Sequence, residues 1–203
     1  MEKIGFIGLG NMGKGMATNL SISNYEVYGY DINEKVFDHL SEPSINKCNT
    51  IKKVIDDCNI IITMLPDGKI VEKVWLEILE FIQPRKYLID CSTIDVKTSV
   101  SLQKLAQKKS LYTLDAPVSG GVIGAENGTL TFMVGGEKKI YEEVNNLFKI
   151  MGKKSILCGQ IGAGQSAKIC NNMLLASTMI AVGESFNLGK NLGLDLNKLF
   201  EVI

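Results

Sequence analysis

The chain has 203 residues, and its 22 lysines and arginines balance 22 aspartates and glutamates, so the formal net charge is zero. A neutral chain offers no electrostatic footprint for nucleic acid or for an anionic membrane. Apolar residues make up 45% of the chain, which is too many for a disordered protein. The length accommodates one full domain and part of a second.

The cysteines and the histidine restrict the chemistry further. The five cysteines lack the spacing of a zinc site or a redox pair, and an odd number argues against a closed disulfide framework. We expect reduced thiols that lie mostly in the core. His39 is the single histidine, so we predict neither a metal site nor a histidine-based triad. Its polar helical context predicts a surface position.

Short apolar runs alternate along the chain with longer helical patterns. The predicted strands are Lys3–Ile7, Glu26–Tyr30, Asn59–Leu65, Tyr87–Cys91, Leu111–Leu114 and Ser155–Cys158, with Thr129–Val134 as an extra candidate. The predicted helices are Gly13–Ser21, Glu34–Leu40, Thr50–Asp57, Lys69–Ile82, Asp95–Gln107 and Lys138–Met151. This alternation predicts an α/β fold with a doubly wound, mostly parallel sheet.

The end of the chain has a different pattern. A helix is predicted from about Ala163 to Asn191, and its Met173–Val182 stretch is apolar almost all round. Such a helix is expected to be buried against something large. Gly193 indicates a break, and Asp195 indicates the N-cap of one more helix. We therefore expect a first domain over residues 1–162. Residues 163–203 would form a long interdomain helix and only the start of a second, helical domain.

A glycine-rich loop follows the first predicted strand and opens a helix. The loop comprises Gly8, Leu9, Gly10, Asn11, Met12 and Gly13. Gly8 permits a tight turn, Gly10 lets the backbone approach a pyrophosphate, and Gly13 lets the helix pack closely on the strand. Asp31 follows the second strand, where a carboxylate can bind the hydroxyls of an adenosine ribose. The sequence therefore predicts a dinucleotide site.

Two further strand ends are candidate edges of the same site. Met64, Leu65 and Pro66 end one predicted strand, and Thr93 closely follows another. Ligands of open α/β sheets bind beyond the carboxyl ends of the strands. From the residues alone, ordinary strand-to-helix turns remain the alternative.

A second constellation follows later in the chain. Ser119, Gly120 and Gly121 offer a hydroxyl and unhindered amides that suit a carboxylate, although a flexible loop is the alternative. Lys168 and Asn172 share a helix face with spacing of four residues. A lysine on a mostly apolar helix loses proton affinity and exchanges protons near neutral pH. A solvated lysine is the alternative here.

Five segments together resemble the β-hydroxyacid dehydrogenases, in particular the branch that acts on 3-hydroxyisobutyrate. They read IGFIGLGNMGKGMATNL, ITMLP, IDCSTID, DAPVSGGVIGAENGTLTFMVGG and GQIGAGQSAKICNNMLLASTMIAVGESFNLGKNLGLD. They span nearly the whole chain in the order found in the family. The resemblance implies a Rossmann-type domain followed by a long interdomain helix.

The resemblance also implies a role for individual residues. NAD would lie on the loop from Gly8 to Gly13 and on Asp31, Met64, Leu65, Pro66 and Thr93. Ser119, Gly120 and Gly121 match the substrate-binding segment, Lys168 matches the catalytic lysine, and Asn172 matches an asparagine that helps to hold substrate. Ile70 stands where relatives often have a polar residue, and no role is carried over to it.

The implied activity is NAD-dependent oxidation of a small 3-hydroxy acid to its semialdehyde. The expected case is 3-hydroxyisobutyrate to methylmalonate semialdehyde, a step of valine catabolism, with Lys168 as general acid and base. Tartronate semialdehyde, succinic semialdehyde and glyoxylate reductases of the same family are alternatives. Members of the family continue into an all-helical domain that this sequence only begins. A non-catalytic NAD-binding or interaction module is therefore a further alternative.

The expected partners are a small hydroxy acid and further copies of the chain in a homo-oligomer such as a dimer, with no nucleic acid and no membrane. The sequence begins MEKIGFIG, without an apolar signal core or an arginine-rich presequence. This start predicts a cytoplasmic protein. A mitochondrial location is the alternative, because eukaryotic members of the family are mitochondrial.

Overall fold

The computed structural model describes residues 2–39 and 45–203. The chain divides into two compact units, the first ending at Lys168 and the second running from Ile169 to Ile203. The strands are β1 (Lys3–Ile7), β2 (Glu26–Tyr30), β3 (Asn46–Lys47), β4 (Ile60–Thr63), β5 (Tyr87–Asp90), β6 (Tyr112–Asp115), β7 (Val118–Ser119), β8 (Leu130–Gly136) and β9 (Gly152–Gly159).

The helices alternate with these strands. They are α1 (Gly13–Ile22), α2 (Ile51–Asp57), α3 (Gly68–Phe81), α4 (Val96–Lys108), α5 (Gly121–Glu126), α6 (Lys138–Met151), α7 (Ala163–Asn191) and α8 (Leu196–Val202). A short 3-10 helix covers Glu34–His39.

All strands belong to one sheet with the order β3-β2-β1-β4-β5-β6-β8-β7, and β9 pairs with β8. Strands β1 to β6 are parallel to one another. Strand β8 is antiparallel to β6 and β7 and parallel to β9. The predicted α/β fold with a doubly wound, mostly parallel sheet is therefore confirmed.

The sheet is buried on both faces, as strand β4 illustrates. Ile60 and Ile62 belong to one hydrophobic cluster, which includes residues of α1 and α6. Ile61 belongs to a second cluster, which includes residues of α2, α3 and α4. Because successive side chains of a strand point to opposite faces, a covered sheet requires an unbroken apolar run such as this one.

Three short elements were not predicted from the sequence. Strand β3 has two residues, and β7 has two residues that pair with Phe132 and Thr131 of β8. Helix α5 contains Gly121 and Gly124 and follows Gly120, so its composition is typical of a loop. Their formation depends on neighbouring elements rather than on local propensity.

Two predicted elements differ in detail. The predicted helix Glu34–Leu40 is a 3-10 helix that ends at His39, and Leu40 lies outside the described residues. The side chain of His39 is likewise outside the description, so its predicted surface position stays a prediction. The predicted strand Ser155–Cys158 is longer, because Gly152–Gly159 pairs along β8 with two register irregularities.

The second unit contains most of α7 and all of α8. Asp195 caps α8 by accepting the backbone N–H of Asn197 at 2.8 Å. The apolar side chains of α7 are not buried as the sequence predicts: Met173 is 67% exposed and Ile180 is 66% exposed. None of the helices in the described part of the chain combines the length and apolar character needed to cross a membrane.

Candidate active site

The carboxyl ends of the central strands are aligned at one edge of the sheet. Ile7 of β1 is in register with Tyr30 of β2 and with Thr63 of β4. Thr63 is in register with Asp90 of β5, and Asp90 with Asp115 of β6. The loops that follow these strands therefore begin side by side, as expected for a ligand site of an open α/β sheet.

The glycine-rich loop Gly8–Gly13 joins β1 to α1. The N–H of Gly8 donates to the carbonyl oxygen of Tyr30 at 2.9 Å. Gly8 has a φ of 94°, and a Cβ at this position would collide with the carbonyl oxygen of Met64. Only glycine satisfies both the left-handed backbone and the close approach of the loop after β4.

Asp31 is tied to this loop by its carboxylate. Its Oδ2 accepts the N–H of Leu9 at 2.7 Å, and its Oδ1 accepts the N–H of Asn33 at 2.8 Å. Two backbone donors thus fix the orientation of the carboxylate, and each oxygen keeps a free lone pair. The carboxylate is therefore held ready to accept hydrogen bonds from a ligand in the cleft beside it.

A cleft of about 520 Å³ opens along the loop. The predicted cofactor residues that line it are Gly8, Gly10, Asn11, Met12, Gly13, Asp31, Met64, Leu65 and Pro66. Leu9 is not among the lining residues: its side chain is buried, and its backbone N–H donates to Asp31. Thr93 is exposed and lies in the loop after β5, outside the lining of this cleft.

Several lining residues were missed from the sequence. They are Ile7, Tyr30, Ile32, Ile51, Ile70, Lys73, Val74 and Glu77. In α3, Lys73 and Val74 lie three and four residues beyond Ile70, and Glu77 lies four and three residues beyond them, which places the four residues on one helix face. This helical periodicity could have identified the four residues as one lining face from the sequence. Ile70 therefore lines the cleft, although the resemblance carried no role over to it.

The loop after β5 is held by buried hydrogen bonds. The Oγ of Ser92 accepts the N–H of Leu65 at 2.8 Å, and the N–H of Ser92 donates to Asp90 Oδ1 at 3.1 Å. Thr63 Oγ1 donates to the same Asp90 oxygen at 2.9 Å and accepts from Trp75 Nε1 at 3.1 Å. These bonds join the loops after β4 and β5 into one rigid edge of the site.

Burial raises the pKa of Asp90 from 3.8 to about 6, since the carboxyl is desolvated and the hydrogen bonds from Ser92 and Thr63 only partly offset this. Its Oδ2 has no partner among the described residues. A carboxyl that is harder to ionise in the folded state destabilises the protein once it is charged. This destabilisation is absent below pH 3.8, grows as the pH rises, and is complete above about 6.

We therefore expect the free energy of unfolding to lose roughly 3 kcal/mol through Asp90 as the pH rises across this window. Asp90→Asn removes the titration and should flatten this part of the pH dependence. Urea unfolding of both proteins at several pH values measures the difference. If the two proteins have parallel pH profiles, Asp90 does not carry this effect.

The predicted substrate segment lies just beyond β6. Ser119 ends β7 and is half-buried, whereas Gly120 and Gly121 are exposed at the start of α5. Gly120 has a φ of 136° and Gly121 a φ of 64°. These left-handed conformations leave the two amide groups unobstructed by side chains, which suits binding of an anion.

Lys168 is positioned by the buried start of α7. Asp115 Oδ1 accepts the N–H of Gly162 at 2.7 Å, and Asp115 Oδ2 accepts the N–H of Gln165 at 2.9 Å. The end of β6 thereby anchors the first turn of the helix. Lys168 itself is half-buried, and desolvation lowers the pKa of its amine from 10.5. The neutral amine, which accepts a proton, is therefore more accessible than in an ordinary lysine.

Asn172 lies four residues beyond Lys168 in α7, within the second unit, and is exposed. Its Oδ1 accepts a long hydrogen bond of 3.5 Å from Asn171 Nδ2. Both asparagine amides have further hydrogen-bonding capacity.

Comparison with known sequence families covers the chain in two parts. Residues 3–162 match the NAD-binding domain of 6-phosphogluconate dehydrogenase. Residues 162–203 match a family described as the NAD-binding part of NADP-dependent 3-hydroxyisobutyrate dehydrogenase.

Individual relatives are similar over the whole chain. The mitochondrial 3-hydroxyisobutyrate dehydrogenase of Drosophila melanogaster is 42% identical over 203 residues, which are 100% of this chain and 63% of that protein. The NAD-dependent L-serine dehydrogenase of Pseudomonas aeruginosa is 39% identical over 100% of this chain and 69% of its own length. The chain thus spans about two thirds of the length of these relatives.

A solved structure of a similar protein also matches over the whole chain. The 3-hydroxyisobutyrate dehydrogenase of Mycobacterium tuberculosis with L-serine superposes with a TM-score of 0.95 at 39% identity. The alignment covers 100% of this chain and 70% of that one.

Proposed function

The chain belongs to the β-hydroxyacid dehydrogenase family, and we propose that it binds NAD and takes part in the oxidation of a small 3-hydroxy acid to its semialdehyde. The observation that carries the proposal is the Gly8–Gly13 loop, which opens α1 in the same cleft as the fixed carboxylate of Asp31. Lys168, with its lowered pKa, follows the buried start of α7.

The cleft fits a dinucleotide on two counts. Apart from Gly10 itself and its two chain neighbours, no described residue has an atom within 4 Å of the place where a Cβ of Gly10 would stand, so the backbone is open to a pyrophosphate. The start of α1 would direct backbone N–H groups and the positive end of the helix dipole towards this anion. Asp31 would accept hydrogen bonds from the ribose hydroxyls, and Thr93 would contact the cofactor beyond β5. Bound NAD⁺ would supply the hydride acceptor.

Residues of the chain would bind the substrate and transfer its proton. The hydroxyl of Ser119 and the amides of Gly120 and Gly121 would hold the substrate carboxylate by charge-assisted hydrogen bonds. Lys168 Nζ, in its neutral form, would take the proton of the substrate hydroxyl, and would return it in the reverse reaction. Asn172 would orient the substrate through its amide.

The substrate would be 3-hydroxyisobutyrate, with L-serine as a second candidate. Relatives similar over the full chain include both 3-hydroxyisobutyrate and L-serine dehydrogenases. The two acids share a carboxylate and a hydroxyl on the β-carbon, which are the groups that the proposed residues would bind. Contacts to the remaining substituent would decide between them.

Substrate-dependent formation of NADH tests the proposal. The protein is incubated with NAD⁺ and either acid, with tartronate semialdehyde, succinic semialdehyde and glyoxylate tested with NADH in the reverse direction. We expect the highest kcat/KM with 3-hydroxyisobutyrate. Binding of NADH without turnover of any of these compounds would instead indicate a non-catalytic NAD-binding module.

The carboxylate of Asp31 is expected to favour NAD over NADP. A 2′-phosphate would meet a like charge, and the neighbouring Ile32 and Asn33 supply no cation to neutralise it. Asp31→Ala should weaken NAD binding by roughly tenfold or more, the usual cost of a hydrogen bond to a charged group. The substitution should also reduce the preference for NAD over NADP, because the carboxylate no longer repels the 2′-phosphate.

Binding titrations with both reduced cofactors measure this effect. Asp38→Ala, which removes an exposed carboxylate from the 3-10 helix, serves as the control. Equal affinity of the unmodified protein for NADH and NADPH would contradict the assignment of Asp31.

A further inference from the structure

The side chain of Gln165 holds the backbone on both sides of Thr93. Its Nε2 donates to the carbonyl oxygen of Ser92 at 2.8 Å, and its Oε1 accepts the N–H of Ile94 at 3.1 Å. Gln165, Ser92 and Ile94 are buried, whereas Thr93 between them is exposed. One carboxamide therefore fixes the path of the loop at the residue assigned to the cofactor.

Gln165 also belongs to the helix that carries Lys168. Gln165 lies three residues before Lys168, and its backbone N–H donates to Asp115 Oδ2 at 2.9 Å. Ser92, which the carboxamide holds, in turn accepts the N–H of Leu65 through its Oγ at 2.8 Å. A single buried side chain thus connects the start of α7 with the loops after β5 and β4.

We propose that Gln165 is a positioning residue that sets the separation between the cofactor contact at Thr93 and the amine of Lys168. The inference rests on the proposed function, which assigns Thr93 to the cofactor and Lys168 to the proton. Hydride and proton must leave the same carbinol group, so both acceptors need a fixed geometry. A displacement of about 1 Å costs on the order of 10²-fold in rate.

The buried amide of Gln165 also stabilises the fold. A matched variant separates this stabilising role from the positioning role. Gln103 is buried as well, and its Nε2 donates to Asp115 Oδ1 at 2.9 Å. Gln103→Leu removes this bond but leaves both backbone bonds from Gly162 and Gln165 to Asp115. The described hydrogen bonds of the Gln103 side chain go to Asp115 and to Ser99, and none goes to the residues that flank Thr93.

The first measurement requires no turnover. In the protein without cofactor, amide hydrogen exchange at Ile94 is compared for Gln165→Leu and Gln103→Leu. Loss of the acceptor should accelerate this exchange by about tenfold or more in Gln165→Leu. Gln103→Leu should leave the exchange at Ile94 close to that of the unmodified protein.

The second measurement is steady-state oxidation of 3-hydroxyisobutyrate. Gln165→Leu should lower kcat by roughly 10²-fold, while KM for the acid and Kd for NADH change little. Gln103→Leu should lower the melting temperature without this loss of kcat. A merely structural role would give the two variants the same kinetic parameters.

The conservative variant Gln165→Glu supplies a third readout. When protonated, the new carboxyl group donates to the Ser92 carbonyl oxygen and accepts from the Ile94 N–H, as the amide does. When ionised, it can only accept and repels that carbonyl oxygen. The ratio of its kcat to that of the unmodified protein should therefore rise as the pH falls, whereas the ratio for Gln165→Leu stays constant.

Each outcome decides the proposal. Slow exchange at Ile94 in Gln165→Leu, or equal kcat for the two leucine variants, overturns it. If Gln165→Leu does not fold, the pH-dependent ratio for Gln165→Glu takes its place, and a constant ratio overturns the proposal. If the unmodified protein shows no turnover, the proposed function has failed. The exchange measurement then still shows whether Gln165 holds the loop.

Discussion

Lys168→Ala is expected to lower kcat for hydroxy-acid oxidation by roughly 10²- to 10⁴-fold, the range for a positioned acid or base. The amine is half-buried, and desolvation lowers its pKa, so its neutral form is available to take the substrate proton. The affinity for NADH should barely change, because the Gly8–Gly13 loop follows β1 whereas Lys168 lies in α7. Steady-state kinetics and a separate binding titration measure the two effects.

Two companion variants sharpen this prediction. Lys168→Arg keeps the positive charge but cannot lose its proton, so it should be about as inactive as Lys168→Ala. Lys153→Ala removes an exposed lysine of β9 and should leave kcat unchanged. If Lys168→Arg retains most of the activity, the lysine acts through its charge and another group carries the proton.

The pH profile follows from the same assignment. Oxidation needs the neutral amine, so kcat/KM should rise with pH until Lys168 is deprotonated and then level off. Because burial lowers the pKa of Lys168, the plateau should begin below the pH at which an exposed lysine titrates. A profile that is flat from neutral to alkaline pH would remove Lys168 from the proposed role.

Gly10→Ala is expected to weaken NAD binding by roughly 10- to 100-fold while the protein without cofactor stays folded. No described residue other than the chain neighbours of Gly10 lies within 4 Å of the added methyl group, and Gly10 does not need a positive φ. The methyl group would instead occupy space required by the pyrophosphate. Overpacking by one methyl group typically costs about 1–3 kcal/mol.

Thermal unfolding and an NADH titration test the two halves of this prediction. Trp75 is the single tryptophan and is buried in α3, a helix whose other face lines the cleft, so we expect its fluorescence to change when NADH binds. Gly183→Ala in α7 is the control, because its Cβ would likewise meet no described atom within 4 Å apart from its chain neighbours and the adjacent backbone of its own helix. Unchanged affinity in Gly10→Ala would show that the cofactor does not approach the loop at this residue.

Much of the fold could be predicted, because strands that are buried on both faces have unbroken apolar sequences. The run from Ile60 to Ile62 is apolar without alternation, and the structure covers both of its faces. Helix α7 begins at Ala163 and ends at Asn191, as its pattern indicates. Elements β7 and α5 could not be predicted, because glycine and short length hide them from any periodicity.

The polar part of the site was harder to predict. Gln165 is a polar residue in a helix, and nothing local distinguishes it from a solvated one. Its burial depends on Asp115, fifty residues earlier in the chain, and on backbone groups that follow β5. The glycine-rich loop was predictable for the opposite reason, since its steric requirements are local and only glycine meets them.

Transfer of a deuterium label tests the central claim most directly. The protein is incubated with NAD⁺ and 3-hydroxyisobutyrate in which both hydrogens of the carbinol carbon are replaced by deuterium, and the NADH formed is analysed by mass spectrometry. The account predicts that one deuterium appears in each NADH and that Lys168→Ala suppresses its formation. NADH without deuterium, or no NADH from the unmodified protein under conditions where it binds NAD⁺, would contradict the account.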